Sequence, residues 1–133
     1  MKINIPESPQ ERVVIIGGGF AGLAAARQLA KANYQVVLLD KNNFHQFQPL
    51  FYQVAMAGLE PSSIAFPFRK LFRKRSNVFI RVTEVLSIEP ENNRVITSLG
   101  HCNYDHLLIG IGADTNYYGN AEVERNTLSM KSV

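Results

Sequence analysis

Hydrophobic positions in this chain come in short runs divided by polar turns. Val13, Val14, Ile15 and Ile16 form the first run, with no polar residue to mark a solvent-facing side. A continuous β-branched run of this kind predicts a strand buried on both faces, as in a parallel sheet. Three glycines follow. Residues 21–32 are then rich in alanine and leucine, with Arg27, Gln28 and Lys31 interspersed, which predicts a helix. A second apolar run, Val36 to Leu39, ends in Asp40. Strand, glycine turn, helix, strand and acid make a βαβ unit. Val78 to Val82 predicts a third parallel strand. After Glu84, short apolar stretches alternate with Pro90-Glu91-Asn92-Asn93 and Leu99-Gly100, the turn spacing of an antiparallel ribbon.

Composition sets the outer bounds. With 133 residues, 46% hydrophobic and 19% charged, the chain suits one globular domain with its own core. A net charge of +3 is mildly basic, enough to favour phosphates or an anionic surface without demanding nucleic acid. Cys102 is the only cysteine, so the chain has neither an internal disulphide nor a multi-cysteine zinc site. No apolar run approaches the roughly 20 residues of a membrane span, and the cytoplasm is the expected compartment. The opening "MKINIPESPQ" is polar and carries prolines, so residues 1–11 read as a flexible leader.

The glycines answer to chemistry. Gly17, Gly19 and Gly22 fit G-x-G-x-x-G. The first permits a tight turn out of the strand, the second lets backbone approach a pyrophosphate, and the third lets helix pack on sheet. The helix start adds free N–H groups and a partial positive charge. Asp40 stands where a carboxylate accepts hydrogen bonds from ribose hydroxyls and disfavours a 2′-phosphate. With strand, helix and acid all in place, the pattern points to a dinucleotide, though FAD and NAD share it.

The segment after Asp40 is not a plain second helix. Lys41, Asn42 and Asn43 lead into Phe44, Phe47, Phe51 and Tyr52 around Pro49. These rings either wall off a large aromatic cofactor or form core beneath a long loop. His45, His101 and His106 are too scattered for a metal motif and read as surface or core histidines. Arg69, Lys70, Arg73, Lys74 and Arg75 alternate with Phe68, Leu71 and Phe72 as a short basic amphipathic helix, solvated or set against anionic lipid.

At "NNFHQFQPLFYQVAMAGLEPSSIAFPFRKLFRKRSNVFI" the chain resembles the type II NADH dehydrogenases, single-subunit NADH:quinone oxidoreductases that sit peripherally on membranes. The matching positions are Asn43, Phe44, His45, Phe47, Pro49, Leu50, Tyr52, Gln53, Val54, Ala55, Leu59, Pro61, Ile64, Ala65, Pro67 and Arg69. The resemblance implies an α/β fold: a Rossmann-like FAD-binding domain with a parallel sheet, an inserted antiparallel β-meander and a return strand at Leu107–Ile109. It implies adenine contact at the Glu84-Val85 step. Where the family ends its return strand in Ala-Thr-Gly, this chain has Gly110-Ile111-Gly112, keeping the glycine and losing the hydroxyl. The candidate cofactor-binding residues are therefore Gly17, Gly18, Gly19, Phe20, Ala21, Gly22, Asp40, Lys41, Val85 and Gly112. No catalytic acid or base and no metal ligand is assigned.

By the same resemblance, the intact enzyme passes hydride from NADH to FAD and then reduces a quinone, peripheral on the inner face of the cell membrane. The FAD-binding domain is expected over 12–120, incomplete at its C-terminus, with 121–133 a linker toward an NADH-binding domain. The chain alone is expected to be inactive and to self-associate through an apolar face or an unpaired edge at Val13–Ile16 or Leu107–Ile109. Two alternatives stand beside this: a sulfide:quinone oxidoreductase-like enzyme, which needs reactive cysteines near the flavin, and a non-catalytic nucleotide-binding module.

Overall fold

In the computed structural model, which describes residues 1–129 and 131, the elements follow in this order. They are β1 (Arg12–Ile16), α1 (Phe20–Leu29), β2 (Gln35–Asp40), β3 (Phe44–Gln46), α2 (Phe51–Ala55), β4 (Ala65–Pro67) and α3 (Phe68–Leu71). Then come β5 (Val78–Val82), β6 (Val85–Glu89), β7 (Arg94–Thr97), β8 (Gly100–Asn103), β9 (His106–Ile109) and α4 (Ala121–Asn126). The main sheet runs β5-β2-β1-β9 with every pairing parallel. The expected meander is present as an antiparallel β6-β7-β8 sheet, and β3 pairs with β4 in a small antiparallel ribbon.

Alternation along β1 and β2 divides the core in two. Val13, Ile15, Val36 and Leu38 pack with Leu23 and Ala26 of α1 and with Phe68, Phe72 and Ile80. Val14, Ile16, Val37 and Leu39 point the other way, onto Val95 and Cys102 of the meander. Both faces are covered, so no polar position interrupts either strand. Each such aliphatic side chain contributes about 1.5–3 kcal/mol by leaving water.

The opening residues are not the loose leader expected over 1–11. Ile3 and Ile5 are buried in the second core layer, and Ile3 N–H donates to His101 O at 2.9 Å. The Pro6 carbonyl accepts from Gln35 Nε2 at 2.8 Å and from the buried Arg12 guanidinium at 3.3 Å. The physical reason is coverage: the meander leaves part of that sheet face open, and the two isoleucines close it.

Two helices are shorter than their patterns. α1 ends at Leu29, where Lys31 and Ala32 donate three residues back, to Gln28 and Leu29, and close the last turn. α3 spans four residues, with Phe68 and Phe72 buried and Arg69 and Lys70 exposed. The main sheet ends at β5 on one side and at β9 on the other. Of the two strands expected at an edge, β9 is there, with Ile109 58% exposed, and β1 is flanked on both sides. In the expected linker, α4 is capped by Asn120, whose Oδ1 accepts from the Glu122 and Val123 N–H groups. Met130, Ser132 and Val133 lie outside the described residues. No helix among the described residues is long and apolar enough to cross a membrane.

Candidate functional site

The glycine turn stands at the C-terminal ends of β1, β2 and β9, where ligands of open α/β sheets bind. Two backbone bonds tie it to its neighbours: Gly17 N–H to Leu39 O at 2.8 Å, and Gly110 N–H to Ile16 O at 2.7 Å.

Four glycines here do different things. Gly17 has φ +95°, and a Cβ there would overlap the Gly110 carbonyl. A Cβ on Gly22 would overlap the Gly17 carbonyl oxygen, so helix and turn meet backbone to backbone. At Gly18 a Cβ would enter the ring of Phe68, a fully buried side chain. Gly19 is different: its φ is −69°, and a Cβ would find only Gly110 O, at 3.9 Å. Neither strain nor packing inside the protein calls for glycine at 19. Its N–H has no hydrogen-bond partner among the described residues, and it is exposed. A cradle that a side chain would fill, lined by a free donor, fits a pyrophosphate.

Asp40 ends β2 beside this turn. Its Oδ2 accepts from Gly18 N–H at 2.6 Å and its Oδ1 from Asn42 N–H at 2.7 Å. The sequence leads to an expectation of this carboxylate against ribose; the structure shows it holding the turn. A carboxylate oxygen accepts more than one bond, so both roles fit one side chain. Lys41 is the next residue and is exposed, as are Phe20 and Ala21 at the start of α1. Val85 opens β6, two residues beyond Thr83, whose N–H donates to Asp40 O at 2.8 Å. Gly112, at φ +72°, has open space around it; the close approach to the turn belongs to Gly110 instead.

Sequence reasoning passed over three residues. His45, read as surface or core, is buried on β3 with Nδ1 2.9 Å from Gly18 O. Its ring meets Phe20 edge-on at 5.2 Å, and Phe20 meets Phe47 in the same way at 5.5 Å. Phe68 and Gly110 complete the set. The one trace of this in the sequence is a glycine at the fingerprint's free second position, Gly18, where the Phe68 ring fills the space that a side chain would take. Of the loop aromatics, Phe51 lies in the core, as one of the two readings expects, while Phe47 and Tyr52 are exposed. Two concave hollows of about 210 and 230 Å³ border Phe72.

Cys102 sits on β8, 1% exposed. Burial pushes its thiol above the ordinary range, the opposite of what a reactive cysteine needs.

A glycine turn on a parallel sheet, backed by a meander, defines a Rossmann-like FAD-binding fold. The chain belongs to the pyridine nucleotide-disulphide oxidoreductase family, which matches residues 11–132. It is 38% identical over 128 residues to a type II NADH:quinone oxidoreductase of Mycobacterium tuberculosis, covering 93% of this chain and 28% of that protein. Among solved structures, the sulfide:quinone oxidoreductase of Aquifex aeolicus matches at TM-score 0.84 and 30% identity, over 92% of this chain and 29% of that one. NDH2 of Plasmodium falciparum, solved in complex with NADH, matches at TM-score 0.79 and 21% identity, over 87% and 25%. At that identity the likeness shows the fold alone. The chain thus spans under a third of the length of these relatives.

Proposed function

We propose that this chain holds FAD for an NADH:quinone oxidoreductase. The carrying observation is Gly19, a glycine that the protein's own packing does not require, set at the cleft end of the sheet with a free N–H. The 38% identity to a type II NADH:quinone oxidoreductase across 93% of the chain supports the choice of reaction.

FAD, when bound, supplies the hydride-accepting and quinone-reducing chemistry. The chain's own residues bind and orient it. Gly17, Gly18, Gly19 and Gly22, with the N–H groups of Phe20 and Ala21, receive the pyrophosphate. Asp40 takes the ribose, with Lys41 beside it. Val85 borders the adenine and Gly112 lies along the flavin side. NADH and quinone are the substrates of the whole enzyme, which sits peripherally on the inner face of the cell membrane. The exposed cations Arg69, Lys70, Arg73, Lys74 and Arg75 favour anionic lipid there. The chain by itself holds FAD weakly, lacks NADH oxidation and pairs with a second copy along the β9 edge.

The deciding experiment is titration of the purified chain with FAD, followed by flavin fluorescence and calorimetry, and light scattering for mass. Saturable one-to-one binding supports the reading, and its absence ends it. A sulfide:quinone oxidoreductase is the second reading, favoured by the 0.84 TM-score. Cys102, buried with a raised pKa, offers that chemistry no nucleophile from this chain. Turnover of the gene's full product with NADH against sulfide separates the two.

A further inference from the structure

We propose that His45 is a positioning residue that turns the Gly19 N–H toward the pyrophosphate, an inference that rests on the FAD reading above. Three observations carry it. First, Gly18 is held at every group it has: its N–H by Asp40 Oδ2 at 2.6 Å, its carbonyl by His45 Nδ1 at 2.9 Å, and its Cα against the Phe68 ring. A carbonyl only accepts, so His45 Nδ1 carries the proton. Second, no peptide bond here is cis. In a trans peptide the C=O and the next N–H point in opposite directions. Fixing the Gly18 carbonyl on His45 therefore aims the Gly19 N–H the opposite way, from the other edge of the same peptide plane. This is the donor without a partner among the described residues. The preceding peptide obeys the same logic: Gly18 N–H meets Asp40, and the Gly17 carbonyl faces Gly22. Third, the His45 ring is itself oriented, 5% exposed and set edge-on against Phe20 at the start of α1.

The device links two regions far apart in sequence. Gly18 and Phe20 belong to the turn after β1; His45 lies on β3, and Phe68 follows β4, its ribbon partner. The β3–β4 ribbon is thus the backing plate of the phosphate turn. A turn fixed before its ligand arrives avoids the entropy cost of ordering on binding.

The test uses the purified chain with FAD as probe. His45→Phe keeps the bulk and the edge contact but removes the donor. His45→Asn replaces Nδ1 with an amide N–H at a similar reach. The expected result is FAD affinity roughly tenfold weaker for His45→Phe and within about threefold of the parent for His45→Asn. At saturating FAD the Gly19 amide resonance should shift by a similar amount in the parent and in His45→Asn, and by clearly less in His45→Phe. Equal affinity in all three overturns the proposal while leaving FAD binding standing; a parent chain that binds no FAD removes the underlying reading instead. Because His45→Phe can fail to fold, nitrogen NMR of the parent apoprotein gives an independent result. A proton on Nδ1 supports the proposal, and a proton on Nε2 alone overturns it.

Discussion

The turn after β1 has a floor and a rim. On the floor, Gly17, Gly18 and Gly22 are glycines because protein atoms crowd them: a carbonyl, a buried phenyl ring, a neighbouring backbone oxygen. On the rim, Gly19 is a glycine although nothing in the protein approaches it closer than ordinary contact. One motif thus serves two ends. Three glycines of the turn are required by the protein's own packing whatever else they touch, and Gly19 alone is not.

Breaking the floor should have the largest effect. Gly22→Val sets a side chain against the Gly17 carbonyl, where only backbone can move, and should cost about 3 kcal/mol of stability or more. Urea unfolding of the apoprotein measures it; a loss under about 1 kcal/mol would show that α1 shifts freely on the sheet. Gly19→Val should do the reverse. Apoprotein stability should change by no more than about 0.5 kcal/mol, while FAD affinity falls at least about a hundredfold, or about 2.7 kcal/mol. Normal flavin absorbance in that variant would place the phosphate elsewhere.

Asp40→Asn touches floor and rim together. It should weaken FAD by about 1.5–3 kcal/mol through the lost charged acceptor, and also destabilise the apoprotein, because the carboxylate holds the Gly18 and Asn42 N–H groups. Calorimetry and thermal melts in parallel separate the parts. An unchanged melt would mean that the turn stands without Asp40.

The smallest effect lies in the second core layer, away from the turn. The Cys102 thiol has a raised folded pKa through burial, so the folded state keeps the proton longer than the unfolded chain. Its contribution is present below the ordinary thiol pKa of about 8.5 and is lost as pH rises past it. Cys102→Val should flatten that alkaline decline in stability. Identical alkaline slopes for parent and variant would assign the decline to other groups.

Much of this was legible in the chain. Val13–Ile16 and Val36–Leu39 carry no polar position, and strands covered on both faces require that. The glycine spacing and Asp40 mark the turn because few other arrangements need them together. His45 escaped notice for a physical reason: one histidine in an aromatic loop has no period, and its partner is a backbone carbonyl, invisible in sequence. Ile3 and Ile5 escaped because two isoleucines among prolines and polar residues give no strand-length pattern. Their burial depends on residue 101, which local reasoning does not reach.

That distant pairing bears on how the chain comes off the ribosome. β1, α1 and β2 are neighbours in sequence and can associate early, while the strand that completes the other side of β1 is made about 90 residues later. Ile3 must wait for His101 in the same way. Until then one face of β1 and β2 lies bare, and its earliest residues hang free beside it. Contacts between ends so widely separated close slowly, and the wait is a window in which the nascent chain is exposed to aggregation and to chaperones.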